Sequence, residues 1–288
     1  MQAQAIFDHE AALRLGAFIA VFAAMALWEA LAPRRQPGIT RAARWPHNLG
    51  LLLVDAALLR VVAPGAAIAV AVAGEAGGWG LLPALGAPAW IAVPLAVILL
   101  DLAVWFQHVT FHAVPLLWRL HRVHHTDTEY DLTTGTRFHP IEILISTAVK
   151  CAVVAALGAP AVAVFVFEVL LNATAVFNHA NVRMPQRLDA WLRLFVVTPD
   201  MHRVHHSIAY NETNSNFGFN MPWWDRLFGT YRAQPAAGHE RMTIGVDAFR
   251  DPRELRLDRL LGQPFRDTPG GYAINRRPEP STSEARQT

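Results

Sequence analysis

Long apolar runs alternate along the chain with short polar segments, and the runs have the length of membrane-crossing helices. The first extends from about Leu15 to Pro33 and includes GAFIAVFAAMALWEALAP. Asp8 and Glu10 stand before it in place of the basic region of a secretory signal, so it is expected to be a retained helix. A second run, about Leu51 to Ala73, contains Asp55 and Arg60, which must face other helices, snorkel or reach water. After a Gly-rich link, AGEAGGWG, a third runs from about Trp90 to Gln107. From Glu142 to Asn178 the chain is apolar except for a break at Leu157-Gly158-Ala159-Pro160, the pattern of a helical hairpin with a tight Gly/Pro turn. This pattern predicts an all-α integral membrane bundle of about four to five transmembrane helices. Residues 266–288, RDTPGGYAINRRPEPSTSEARQT, read as a disordered tail.

Composition agrees with the pattern. The 288 residues are 53% hydrophobic and 17% charged, too apolar for an ordinary soluble domain of this length. The net charge is only +2 and no Lys/Arg run is dense, which excludes a nucleic-acid partner. With Cys151 as the single cysteine, metal binding would have to rest on histidine and carboxylate. Arg34, Arg35, Arg41 and Arg44 follow the first run, whereas the link between the second and third carries only Glu75. The positive-inside bias therefore puts the first run's C-terminal end in the cytoplasm. Counting crossings brings every histidine-rich segment to that side, as a cytoplasmic cap also bearing Arg119, Arg122, Arg137, Arg183, Arg187 and Arg193.

Ten of the thirteen histidines fall between His108 and His206, eight of them in three short words: HVTFH, HRVHH and HRVHH. His108 and His112 continue the third run. His121, His124 and His125 follow a break at Pro115, and His202, His205 and His206 repeat their spacing. Positions i, i+3 and i+4 lie on one helical face, as metal ligation requires. His179, in FNHANV, falls where the hairpin's second helix leaves the membrane. So many imidazoles exceed one ion's needs, and two metals with four or five nitrogens each fit the number. Imidazole suits Fe, Zn and Cu alike, so the ligands alone imply a dimetal site without naming the metal. His9, His47 and His239 read as ordinary polar residues.

These words, with RFHPIE after the second, NHANV before the third and NFGFNMPWWDRLFGTY after it, resemble the fatty acid hydroxylase/sterol desaturase superfamily of membrane di-iron oxygenases, in particular its bacterial members. The resemblance covers roughly residues 90–232. It divides the chain into N-terminal membrane helices and linker (1–89), the catalytic region (90–232), a cytoplasmic C-terminal segment (233–265) and the tail. It implies a di-iron oxidoreductase that hydroxylates or desaturates a lipid C–H bond, or cleaves an alkyl ether. The metal positions then fall on His108, His112, His121, His124, His125, His179, His202, His205 and His206. Two Fe ions are the implied cofactor, with Zn possible in the isolated protein. The family pattern often has another histidine shortly before His179. LNATAVFNH lacks it here, leaving Asn172, Asn178, a water or His139 for the tenth position. No GxGxxG, haem or iron–sulfur motif is recognisable, so electrons should come from an external ferredoxin, cytochrome or reductase. The lipid substrate would arrive from the bilayer, in a bacterial inner membrane with the site on the cytoplasmic side.

Three further residues are candidates for catalytic roles. Asp101 lies two turns before His108. His139, if not a ligand, would hold its loop, and Glu142, one turn later, could orient an imidazole or accept a proton. Glu168 and Asn172 share a stripe with His179. Trp223 and Trp224 read as interfacial anchors or as a wall of a lipid access groove, and Asp225 and Arg226 as a pair or a cap. The competing readings are a carotenoid hydroxylase, a membrane metal-binding or sensor protein without turnover, and a metal transporter. A transporter would place its ligands at mid-bilayer rather than at helix ends.

Overall fold

A computed structural model describes residues 9–268 and Ile274. The described chain is all-helical, with isolated bridges at Pro33–Val182 and Ser207–Ile244 and no strand. Its principal helices are α1 (Glu10–Leu31), α2 (Arg41–Val62), α3 (Ala66–Gly77), α4 (Ala89–Ala113), α5 (Pro115–His125), α6 (Pro140–Leu157), α7 (Ala161–Asn178) and α8 (Pro199–His205). Shorter helical turns connect them. Among the described residues five segments are long and apolar enough to cross a membrane: Glu10–Leu31, Arg41–Ala84, Ala89–Ala113, Pro140–Leu157 and Ala161–Asn178. Ile19, Leu27, Leu53, Trp90 and Phe106 are exposed along them. Outward apolar faces of this kind suit lipid, and a helix satisfies its own backbone there.

The hairpin expected at residues 142–178 forms as α6 and α7. Gly158 ends α6 with φ +61°, and Pro160 precedes the first residue of α7. The second run differs from its expected bounds, Leu51 to Ala73. Helix α2 begins ten residues earlier, at Arg41, and stops at Val62. Pro64 disfavours a helical Ala63, and Gly65, at φ +60°, starts the separate helix α3. At 12 residues α3 spans about 18 Å, too short to cross by itself. It packs instead on α6 and α7 in a core of Ala67, Ala71, Ala96, Leu100, Val154, Ala163 and Phe167. Small side chains at these positions let the helices approach closely.

Helix α2 starts early because the polar face of RAARWPHN has buried partners. Arg44 Nε and Nη2 donate to Asp127 at 3.0 and 2.5 Å, and its Nη1 donates to Asp131 at 2.6 Å. Asn48 Nδ2 donates to Thr133 at 3.0 Å. Arg41 and Arg44 are thus helical residues and not part of a connecting loop.

Each crossing delivers one end to the same place: the C-terminal ends of α1, α4 and α7 and the N-terminal ends of α2 and α6 meet at the polar cap that carries the histidines. Of the expected tail, residues 266–268 and Ile274 are described and bonded. Arg122 Nη1 donates to Thr268 Oγ1 at 3.1 Å, Arg119 pairs with Asp267 at 2.8 Å, and the Ile274 N–H donates to His112 O at 2.9 Å. The remainder of that expected tail lies outside the described residues.

Candidate metal centre

Four chain elements bring histidines together. His108 and His112 occupy the last two turns of α4. A bend at Val114, with Pro115 as the first residue of α5, turns the chain so that His121, His124 and His125 face back onto them. His179 caps the C-terminus of α7. Helix α8 opens with the Thr198 side chain accepting from Met201 N and with Pro199 at its first position. It presents His202 and His205, with His206 as its C-cap.

The nine imidazoles form two groups, His108, His112, His121, His125 and His205, and His124, His179, His202 and His206. Within each group the candidate ligand atoms lie within 4.8 Å of one another, and every member is buried. The repeated word now has a geometric meaning. In each HRVHH the i and i+4 rings join one group while the i+3 ring crosses to the other: His121 and His125 against His124, His202 and His206 against His205. The two helices therefore share both groups reciprocally. His179 stands to the second group as His108 stands to the first, each contacting the i ring of one word and the i+3 ring of the other. His112 has no histidine counterpart, and the Tyr130 ring lies against His206 at 5.1 Å on that side.

Hydrogen bonds fix the tautomers. His108 Nδ1–H donates to Phe217 O at 2.8 Å, His121 to Glu142 Oε1 at 2.7 Å, His179 to Ala175 O at 2.7 Å and His205 to Ser215 O at 2.7 Å. His112 Nδ1–H donates to Asn214 Oδ1 at 3.2 Å. A neutral imidazole has one proton, so each of these rings turns an Nε2 lone pair inward. Burial holds His121 and His179 down to about 3, and it lowers His124, His125, His202, His205 and His206 well below the ordinary histidine range, helped by neighbouring imidazoles.

The donor set fits a metal. His108 Nε2 lies 3.0 Å from His121 Nε2, His112 Nε2 3.2 Å from His125 Nε2, and His179 Nε2 3.1 and 3.2 Å from His202 and His124 Nε2. Where both rings spend their proton on Nδ1, two facing lone pairs repel each other unless a cation lies between them. The separation is that of two nitrogens each about 2.0–2.1 Å from a common ion. Among the described residues, His205 Nε2 and both nitrogens of His206 are buried without a hydrogen-bond partner, a costly state that coordination would relieve.

The other candidate residues are placed as follows. His139 caps α6: its Nδ1 accepts from Ile141 N at 3.2 Å and its Nε2–H donates to Leu261 O at 3.1 Å, which occupies both nitrogens away from the histidine groups. Glu142 touches His121 directly. Asp101 accepts from Asn220 N and Met221 N, both at 3.3 Å, and from Trp224 Nε1 at 2.8 Å. It thus moors the 217–224 loop to α4. Asp225 accepts from Phe217 N, Gly218 N, Trp105 Nε1 and Thr230 Oγ1, while Arg226 lies over Tyr231, so these two neighbours do not pair with each other. Trp223 Nε1 donates to Leu194 O at 2.7 Å. Asn178 Nδ2 donates to Phe219 O at 2.9 Å, Asn172 lines the cavity described below, and Glu168 pairs with Arg14 at 2.7 Å and with Lys150.

The polar segment after the second word, TDTEYDLTTGTRF, carries no metal-ligand spacing yet packs directly against the histidines. Asp127 is held at about 2 because the charges of Arg44 and Arg137 outweigh the upward push of burial. Arg137 Nε donates to Val123 O at 2.7 Å, inside the word HRVHH itself. The cluster of Asp and Thr directly after a histidine word was the available signal.

A cavity of about 370 Å³ runs from this centre into the helices. Its walls include Leu59, Leu100, Val104, Phe111, Phe138, Ile143, Phe167 and Leu171, and His108, His121 and Glu142 line it on the histidine side. This volume falls in the range of small-molecule sites.

The family model described as fatty acid hydroxylase matches residues 93–230. Among similar proteins, ornithine lipid hydroxylase OlsE of Rhizobium tropici is 32% identical over 149 residues, 51% of this chain and 44% of its own length. Human alkylglycerol monooxygenase is 25% identical over 189 residues, 64% of this chain and 40% of its own. Rat cholesterol 25-hydroxylase is 26% identical over 166 residues, 56% and 53% respectively. The chain thus spans about half the length, or less, of these relatives. No solved structure matches it.

Proposed function

Because this chain belongs to the fatty acid hydroxylase/sterol desaturase superfamily through residues 93–230, we propose that it is a membrane-bound di-iron oxygenase that hydroxylates or desaturates a lipid C–H bond with dioxygen and external electrons. The observation that carries this reading is the reciprocal sharing of two histidine groups by the HRVHH helices beside an apolar cavity. An unactivated C–H bond offers no acid or base handle, and two irons held by these histidines would supply the oxidising chemistry that no side chain provides.

The protein's own contribution is positioning. The backbone carbonyls of Ala175, Ser215 and Phe217, the Asn214 amide and the Glu142 carboxylate orient the rings whose Nε2 atoms face inward. Such partners set ring orientation and ligand basicity. Asp101 and Asp225 fasten the 217–224 loop, keeping the carbonyls of Phe217 and Ser215 in register with α4 and α8. Phe111, Phe138, Phe167 and Leu171 hold an acyl or similar chain and exclude water from the reacting carbon. The cavity favours an enzyme over a metal store or sensor, which has no use for an apolar chamber opening on its ligands. Arg34, Arg35, Arg119 and Arg183 at the histidine end support a cytoplasmic face in a bacterial inner membrane, where a ferredoxin, cytochrome or reductase would dock.

The test is reconstitution. Iron-loaded protein in lipid nanodiscs with dioxygen and a ferredoxin–reductase couple should convert a nanodisc lipid into a product heavier by one oxygen or lighter by two hydrogens. Without the reductant the lipid should remain unchanged. Equal conversion without any electron source would contradict the proposal.

A further inference from the structure

Helix α2 buries a stripe at Arg44, Asn48, Leu51 and Asp55. Arg44 and Asn48 at its start are fully engaged by the Asp127–Thr133 segment. Asp55, two turns further into the membrane, is only 5% exposed, and its Oδ1 is buried with no hydrogen-bond partner among the described residues. The contrast with the other carboxyls of the membrane helices is sharp. Glu29 accepts from Leu132 N and Asn181 N, Asp101 from two backbone amides and Trp224, Glu142 from His121, and Glu168 pairs with Arg14 and Lys150. An unpaired carboxyl at this depth is costly and marks a functional interior.

Asp55 lines the same cavity as His121 and Glu142, and Glu142 Oε2 is also buried and unpartnered. Two carboxyls thus bring acceptor atoms to a chamber whose walls are otherwise largely apolar. No donor of the cavity wall reaches either atom among the described residues, since Arg14 and Lys150 pair with Glu168 and Gln107 donates to Ser146, and a hydrocarbon chain or a simple ester has none to offer.

We propose that Asp55 determines substrate specificity by accepting a hydrogen bond from an O–H or amide N–H that the lipid carries near the carbon presented to the metal centre. This rests on the oxygenase reading above, in which the cavity holds the lipid. A buried acceptor left unpaired by the wrong ligand discriminates more strongly than a difference in apolar contact does.

Binding, measured apart from turnover, tests it. Metal-loaded protein in detergent is titrated with hexadecanol and its methyl ether, and in a second arm with N-hexadecylacetamide and its N-methyl analogue, read by tryptophan fluorescence. Wild type should prefer the donor-bearing member by about tenfold or more in at least one arm, and the larger preference tells O–H from N–H. Asp55→Leu should bind both members of each pair equally, and Asp55→Asn, which keeps an acceptor, should retain part of the preference. Metal content and the ligand-free melting temperature of Asp55→Leu should equal or exceed those of wild type. No preference in wild type in either arm, an unchanged preference in Asp55→Leu, or a lowered melting temperature showing that Asp55 serves the fold would overturn the assignment. A protein that discriminates as expected but never turns over lipid would contradict the oxygenase reading and leave this one standing.

Discussion

At the scale of the residue, the site depends on keeping imidazoles neutral in a place where water cannot solvate a charge. Eight of the nine histidines were legible from spacing, because i, i+3 and i+4 share a helical face, and His179 from its place at the end of the hairpin. Their allotment to two groups was not, since it depends on how α5 and α8 face each other across α4 and α7. The carbonyl and amide partners of the rings were equally hidden, because Asn214, Ser215 and Phe217 carry no spacing signature of their own. A pH dependence follows from burial. His121 and His179 are held at about 3, below the ordinary histidine value of about 6.5, so between those values the unfolded chain binds protons that the folded chain refuses. Stability is therefore flat above about 6.5 and falls as the pH drops below it, by up to about 1.4 kcal/mol per pH unit for each such histidine. The melting temperature of metal-free protein in detergent should decline steadily from pH 7 to pH 5. A melting temperature that held or rose over that range would mean the rings are solvated.

At the scale of the element, the sequence was clearest where punctuation was local. Leu157-Gly158-Ala159-Pro160 announced the α6–α7 turn because Gly158 alone supplies the left-handed backbone and Pro160 starts the next helix. Helix α2 departs from the expected run at both ends: it stops at the local break Pro64-Gly65, and it starts early for a tertiary reason. Its polar first turns are stabilised by Asp127 and Asp131, more than eighty residues away, and no local pattern extends the apolar run back to Arg41 without those partners. The turn at Gly158 is also a packing point. A Cβ there would lie 2.3 Å from Trp79 O and 2.7 Å from Pro83 Cδ, whereas one at Gly86, also left-handed at φ +64°, would meet nothing within 4 Å. Gly86→Ala should cost about 1 kcal/mol from backbone strain alone, and Gly158→Ala at least about 2 kcal/mol more. Thermal unfolding of the two variants side by side would check this, and equal losses would show that the α6–α7 turn is free to move.

At the scale of the whole molecule, five membrane-spanning segments bring every histidine word to one end and leave the interhelical cavity opening onto it. The all-helical bundle and this convergence were legible from run lengths and crossing parity. The cavity was not, because its walls come from α1, α2, α4, α6 and α7, which no local pattern relates to one another. On this reading the two histidine groups each hold one metal ion. Elemental analysis of protein purified from iron-supplemented cells, beside His121→Ala and His202→Ala, tests it most directly because each substitution removes a ligand from a different group. About two irons per wild-type chain and about one in each variant are expected. One metal or fewer in the wild type, or two retained by both variants, would contradict it.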